Sequence, residues 1–241
     1  MSPLMPFDRF EQVFGPLSGR AISLHWGPGN VGDQLIHAAT RQLLAKFGIS
    51  LSYKREEVIL YGGGGNMGNK YPGAKVIRAY LEKRAALLNI PLIILPQSWT
   101  GHDETKFTRA FARERFSLKY CPEAIIAPDL ALGYTPDFNI PDPTEHVGKF
   151  FRTDEERAVA APIGNLGDPA LWLKSHQDYL LLASKYKEIH TDRLHFAICG
   201  LIARRKVTLY PNSYYKNKGM WDAWLQDLGC QFLYDTNSAS S

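Results

Sequence analysis

The chain has 241 residues, of which 45% are hydrophobic, with 28 basic and 24 acidic side chains and a formal net charge of +4. That length and apolar content exclude a disordered chain and fit one large domain or two small α/β lobes with a sizeable core. The mild positive surplus suits an anionic substrate or an anionic membrane surface and is too small to argue for nucleic acid.

Short apolar runs alternate with longer helical patterns, which reads as an α/β fold with parallel strands. Residues 21–26 form the first expected strand, and it ends in Gly27-Pro28-Gly29-Asn30-Val31-Gly32-Asp33. Leu35, Ile36, Ala39, Leu43, Leu44 and Phe47 then recur at helical spacing. Residues 58–61 read as a buried strand running into Gly62-Gly63-Gly64-Gly65-Asn66, and 74–88 as an amphipathic helix. A strand at 92–95 ends at Pro96-Gln97-Ser98, a helix is expected over 104–120, and a strand at 124–127 ends at Pro128-Asp129. A proline-rich linker over 136–148 separates a first lobe, 1–135, from a second, 149–241. In the second lobe, strands are expected at 149–152, 188–191 and 207–210, and helices at 171–186, 193–203 and 220–228. The polar tail 236–241 is expected to fray.

Cys121, Cys199 and Cys230 are odd in number and widely spaced, so no disulfide framework or zinc pattern follows and a reducing compartment is expected. The opening residues lack a basic-then-apolar signal pattern, and no apolar stretch is long enough to span a bilayer. A cytoplasmic chain is the expectation. The seven histidines show no metal-ligand spacing, and no motif demands a metal or cofactor.

Four polar or glycine-rich clusters follow strands: Asn30 with Asp33, residues 63–66, Gln97 with Ser98, and Asp129. Ligands of open parallel sheets bind at that strand edge. The first loop offers sharp glycine turns and helix N–H groups to an anion, although an ordinary turn with Asp33 as a cap explains it equally well. Four consecutive glycines are more than a tight turn needs, which favours ligand contact. At 191–198, Thr-Asp-Arg-Leu-His-Phe-Ala-Ile puts Arg193 and His195 in the first turn of a helix capped by Thr191 or Asp192. An arginine there opposes the helix dipole unless an anionic ligand, or a nearby carboxylate, resolves the conflict.

Together GNVGD at 29–33, GGGGN at 62–66, LPQS at 95–98, ARERFS at 112–117, PDLAL at 128–132, TDRLHFAI at 191–198 and the lysine of NKGMW resemble the polysaccharide pyruvyl transferase family, in the family's order. The resemblance implies two Rossmann-like lobes facing a cleft in a glycosyltransferase-B-like arrangement. Its second lobe is shortened, since only 42 residues separate Phe151 from Arg193 (193 − 151). It implies phosphoenolpyruvate as donor co-substrate and a sugar acceptor, often lipid-linked at the inner membrane face. The family's donor-site arginine falls on Arg113, its helix-start pair on Arg193 and His195, and its late lysine on Lys218, with Lys216 close by. Asp33 and Asp129 match acidic positions lining the cleft. Asn30, Gly64, Gly65 and Asn66 join the donor side, and Gln97 and Ser98 the acceptor side or cleft.

Arginine forks suit the phosphate and carboxylate of the donor. His195 is the expected acid and Asp33 the expected base, with the two roles exchangeable. Further basic residues at 106–119 and 204–206 form either a solvated face or a contact with anionic lipid. A nucleotide-sugar glycosyltransferase is the alternative reading, but no base-reading pocket is visible. A non-catalytic sugar-binding protein is disfavoured by the set of cations.

Overall fold

A computed structural model describes residues 2–235; the tail at 236–241, with its expected fraying, lies outside them. The chain divides into two compact units. One comprises Met5–Gly29 and Ile36–Tyr134, and the other gathers Asn30–Leu35 with the chain from Thr135 onward and the first few residues. Each is built on a parallel sheet, as the alternation of apolar runs and helical patterns predicts.

The first unit opens with the short helix α1 (Glu11–Phe14) between 3₁₀ turns. Its sheet contains β1 (Ala21–His25), β2 (Ser50–Leu51), β3 (Val58–Tyr61), β4 (Gly64–Met67), β5 (Leu92–Trp99), β6 (Arg109–Ala112) and β7 (Ile125–Ile126). The order is β2-β1-β3-β5-β6-β7, with β4 pairing β5 alone. The crossover helices are α2 (Val31–Lys46) and α3 (Pro72–Leu88). Leu35, Ile36, Ala39, Leu43 and Leu44 are all buried, so the helical stripe read from the sequence is the core face of α2. All eight residues of β5 are buried, as expected of a central parallel strand. Pro96 sits within it, where the pairing register to β6 shifts between Ile94 and Gln97, an irregularity that tolerates the missing N–H.

One sequence expectation fails here. Residues 104–120 do not form a helix; they contain β6 and a 3₁₀ turn at Arg115–Lys119. Ala110, Phe111 and Ala112 are buried in succession between β5 and β7. Ladder bonds and burial on both faces outweigh a weak local helix preference. The basic residues at 106–119 therefore do not share a helix face, and Arg113 is buried.

The second unit holds β8 (Glu145–Phe150), β9 (Tyr186–Thr191), β10 (Lys206–Leu209) and β11 (Gln231–Phe232) in the order β11-β10-β9-β8. Among the described residues this sheet has four strands, against seven in the first unit. β8 starts at Glu145, earlier than the expected 149, because Glu145 and Val147 already pair with β9. The helix expected at 171–186 is α4 (His176–Ser184), which starts where Ser175 Oγ accepts the Asp178 N–H at 3.1 Å. α5 (Leu194–Ile202) follows β9. The helix expected at 220–228 instead begins earlier, as α6 (Lys216–Met220), and passes into a π turn at Trp221–Leu225. An aromatic cluster joins the layers: Phe196 of α5 lies 4.8 Å from Phe150 and 4.9 Å from Tyr179, ring centre to ring centre.

Candidate functional site

Each sheet carries a polar cluster at the C-terminal ends of its strands. In the second unit, Arg152 follows β8, Arg193 follows β9 and Lys216 follows β10, on three adjacent strands. Carboxylates link them. Arg193 Nε donates to Asp168 Oδ1 at 2.9 Å, and its Nη2 reaches both Asp168 and Asp154 Oδ2, the latter at 2.8 Å. Arg152 Nε donates to Asp154 Oδ1 at 2.7 Å, and its Nη1 pairs with Glu156 at 2.7 Å. Lys216 Nζ closes the row on Glu156 at 2.9 Å. The sequence is Asp168, Arg193, Asp154, Arg152, Glu156, Lys216, with charges alternating throughout.

Burial opposes the charged form of Arg193, but the Asp168 hydrogen bonds outweigh it and raise its pKa. Burial likewise opposes ionisation of Asp154, but the arginines, Arg152 first, hold its carboxyl below the ordinary range. Arg193 thus stays cationic. Its Nη1 makes no hydrogen bond among the described residues, so the guanidinium keeps donors for an anion while the carboxylates fix its plane.

Arg193 is itself the residue capping α5, and it has no side-chain cap bond. Thr191 Oγ1 accepts the Arg193 N–H at 3.0 Å, while Asp192 accepts the Arg152 N–H at 2.8 Å. His195, one residue into the helix, is half-buried. Gly32, in the same unit, faces it: a β-carbon there would stand 3.0 Å from His195 Cβ and Nδ1. Only glycine lets the Asn30–Asp33 turn come this close. That turn is a reciprocal cap on α2. Asn30 Oδ1 accepts the Gly32 N–H at 2.8 Å, and Asp33 Oδ2 accepts the Asn30 N–H at 2.7 Å. Lys218 instead pairs with Asp222 at 2.5 Å and lies over the Trp221 ring. Of the two candidate lysines, Lys216 is the one in the Arg193 row.

In the first unit, three residues chosen from sequence meet. Arg113 is 1% exposed, donates from Nε to Ser98 Oγ at 2.9 Å and pairs through Nη1 with Asp129 Oδ2 at 2.6 Å. Asp129 Oδ1 also caps the turn at Leu130–Gly133 through the Ala131 N–H. Gln97 Oε1 accepts the Asn66 N–H at 3.3 Å, and its buried Nε2 has no partner among the described residues. Gly64 starts β4 at φ +124°, and Gly65 continues that strand. Gly62 packs against the Trp26 ring, where a β-carbon would come within 1.8 Å of a ring carbon. Packing therefore explains the start of the glycine run, and backbone conformation explains Gly64.

A clasp that sequence reasoning missed fixes the end of the run. Arg78 of α3 is fully buried and donates to the carbonyls of Asn66 at 2.5 Å and Gly68 at 3.0 Å. It pairs with Asp103, which accepts the Gly68 N–H at 2.9 Å. Arg152, Asp154, Glu156 and Asp168 were missed as well. Their signal was available: acidic residues just past an expected strand, and Asp before Pro in Gly167-Asp168-Pro169.

Among the described residues, no helix is long and apolar enough to cross a membrane. The family model described as polysaccharide pyruvyl transferase matches residues 30–214. The candidate pyruvyl transferase EpsO of Bacillus subtilis (strain 168) is 23% identical over 82% of this chain and 83% of its own length. A crystal structure of a functionally uncharacterised protein from Klebsiella pneumoniae subsp. pneumoniae NTUH-K2044 covers 94% of this chain and 96% of its own. Its TM-score is 0.72 at 20% identity, which shows a shared fold.

Proposed function

The chain belongs to the polysaccharide pyruvyl transferase family, and from that premise we propose that it moves pyruvate from phosphoenolpyruvate onto two hydroxyls of one sugar, forming a ketal. The observation that carries the reading is the second unit's strand edge. An arginine held in plane by two carboxylates stands two residues before a histidine that packs against a helix-starting turn.

The donor carries a phosphate and a carboxylate. In this reading Arg193 binds one of them through Nη1, and Lys216 takes the part first given to Lys218. The donor part of Arg113, Asn30 and residues 64–66, and the acceptor part of Gln97, Ser98 and Asp129, stay what the family resemblance implies for each residue. His195 delivers a proton to the methylene carbon, which leaves C2 electrophilic. One sugar hydroxyl adds to C2 as Asp33 draws off its proton. The C2–O bond to phosphate then breaks, the second hydroxyl closes the ketal, and its proton leaves with the phosphate. Two hydroxyl protons are lost: one balances the new methyl group and the other the released hydrogen phosphate. A lipid-linked saccharide at the cytoplasmic face of a membrane is the proposed acceptor.

Incubating the chain with phosphoenolpyruvate and a panel of saccharide acceptors tests the reading, with mass spectrometry for the ketal and an assay for released phosphate. Product from nucleotide sugars and none from phosphoenolpyruvate would overturn it. The roles separate in two variants. His195→Ala should lower kcat by about 10²–10⁴-fold with donor affinity nearly unchanged. Arg193→Lys should weaken donor binding roughly tenfold or more, the effect of losing a charged hydrogen bond of ~1.5–3 kcal/mol. If His195→Ala loses donor binding and keeps its saturated rate, the histidine is an anion ligand.

A further inference from the structure

Of the three carboxylates in the Arg193 row, one is set apart by its access to solvent. The Asp168 side chain is fully buried and that of Glu156 is 7% exposed, whereas that of Asp154 is 40% exposed. The two arginines it binds are 4% exposed at Arg152 and 8% at Arg193. Asp154 is thus a solvent-accessible carboxylate seated on two buried guanidinium groups.

Both arginines donate to it. Arg152 does so side-on, from Nε to Oδ1 at 2.7 Å and from Nη2 to Oδ2 at 3.1 Å, and Arg193 Nη2 reaches Oδ2 at 2.8 Å. The Glu156 N–H adds a bond to Oδ1 at 3.1 Å, made within the same turn. Three arginine N–H groups so converge on one carboxylate, the fork geometry by which arginines take a ligand carboxylate or phosphate. Asp168 is tied down differently. It accepts the Thr153 N–H at 3.3 Å and the Ala170 N–H at 3.1 Å, and it holds Arg193 through both Nε and Nη2. Asp168 alone can therefore keep the Arg193 guanidinium in plane. Charge points the same way. Asp154, Glu156 and Asp168 balance Arg152, Arg193 and Lys216 one for one, so an incoming anion meets a neutral row. With Asp154 turned out into water, three cations face two carboxylates and the row attracts an anion.

We propose that Asp154 is a resident stand-in for a substrate anion, which an anionic group of the donor displaces from Arg152 and Arg193, so that Arg152 is a second donor-binding arginine. This rests on the reading of Arg193 as the donor's anion ligand. It is opposed to a purely orienting role, in which Asp154 stays in place and its removal weakens binding. Arg152 Nε and Nη2 and Arg193 Nη2 are the donors that the exchange makes available, beside Arg193 Nη1.

The test is calorimetry of the full chain with inorganic phosphate and with phosphoenolpyruvate as separate probes. Asp154→Asn removes the charge and keeps the size. It should bind both anions roughly tenfold more tightly, the effect of one like charge taken away at close range. In turnover it should lower KM for phosphoenolpyruvate without raising kcat, because the gain is made in the ground state as well. Relief of repulsion at a distance would give the same gain, so Arg152 is tested in the Asp154→Asn background. There Arg152→Lys keeps a cation beside Glu156 and loses the fork, and it should give back most of the gained affinity. The proposal falls if Asp154→Asn binds both anions no better than the parent, since the carboxylate then only orients the arginines. It also falls if Arg152→Lys changes nothing in that background. Tighter phosphate in Asp154→Asn, with phosphoenolpyruvate bound by neither chain, would uphold the exchange and overturn pyruvyl transfer.

Discussion

Asp192 is fully buried beside Arg193, with Oδ1 on the Arg152 N–H and no hydrogen-bond partner for Oδ2 among the described residues. Burial pushes its carboxyl up to about 6 from 3.8. A carboxyl raised in the folded state favours the protonated form there. It costs nothing below about pH 3.8, where both states are protonated; the cost grows between about 3.8 and 6 and is complete above 6. Asp192→Asn keeps an acceptor for Arg152 and removes the charge. It should therefore be more stable than the parent at pH 7, by up to ~3 kcal/mol at 1.36 kcal/mol per pKa unit. The gain should shrink to nothing near pH 4. Urea melts across that range check it, and a pH-independent difference would refute it. Residue identity at this edge was legible because Thr191–His195 is local. The partners were not: Asp168 lies 25 positions and Asp154 39 positions from Arg193, and only the β8–β9 pairing brings them together.

At the scale of elements, glycine-rich loops hold the strand ends for two different reasons, and a pair of substitutions separates them. Gly68 has φ +90°, and a β-carbon there would lie 2.6 Å from the Gly101 backbone nitrogen. Gly164 has φ +78° with nothing within 4 Å. Both alanine variants are strained by the left-handed backbone, roughly 1 kcal/mol. Only Gly68→Ala adds a backbone clash, of about 1–3 kcal/mol, beside the Arg78 clasp. Its melting temperature should fall clearly further, and equal losses would show that strain alone acts. Strands β1 and β3 were legible because each apolar run stops near glycine; β5 was legible only over residues 92–95, since it continues through Pro96, Gln97 and Ser98 to Trp99, held by pairing where the sequence placed a loop. β6 was not, because Ala110, Phe111 and Ala112 are buried on both faces and leave no period to read. β4 was hidden for the opposite reason: a strand made of Gly64, Gly65, Asn66 and Met67 owes its pairing to β5 and nothing to propensity.

Across the whole molecule the three cysteines are buried and unpaired. Burial raises the thiols of Cys121 and Cys230 to about 12, and that of Cys199 also upward. Thiolate, the reactive form, is therefore scarce at neutral pH. A maleimide should label the native chain slowly and leave transfer activity intact, with all three sites labelled in denaturant. Fast labelling of the native chain would mean that one of the two cores opens readily. The alternation of strands and helices made both parallel sheets readable from sequence, and the family's motifs followed the chain almost from end to end.

The strand lengths carry one more consequence. Among the described residues the two strand orders end on β2, β7 and β11, each of two residues, and on β8, which has six, while the four-residue β4 pairs β5 alone. Edge-to-edge polymerisation needs a long open row of unpaired backbone groups, and three of these ends offer almost none. β8 is the exception, and its sequence is Glu-His-Val-Gly-Lys-Phe. A second copy pairing there would have to accommodate Glu145 and Lys149 along the new ladder. Among the described residues the longest such border, β8, is thus guarded by charge and the others by brevity, so that crowding at high concentration gives amyloid-like growth little to start from.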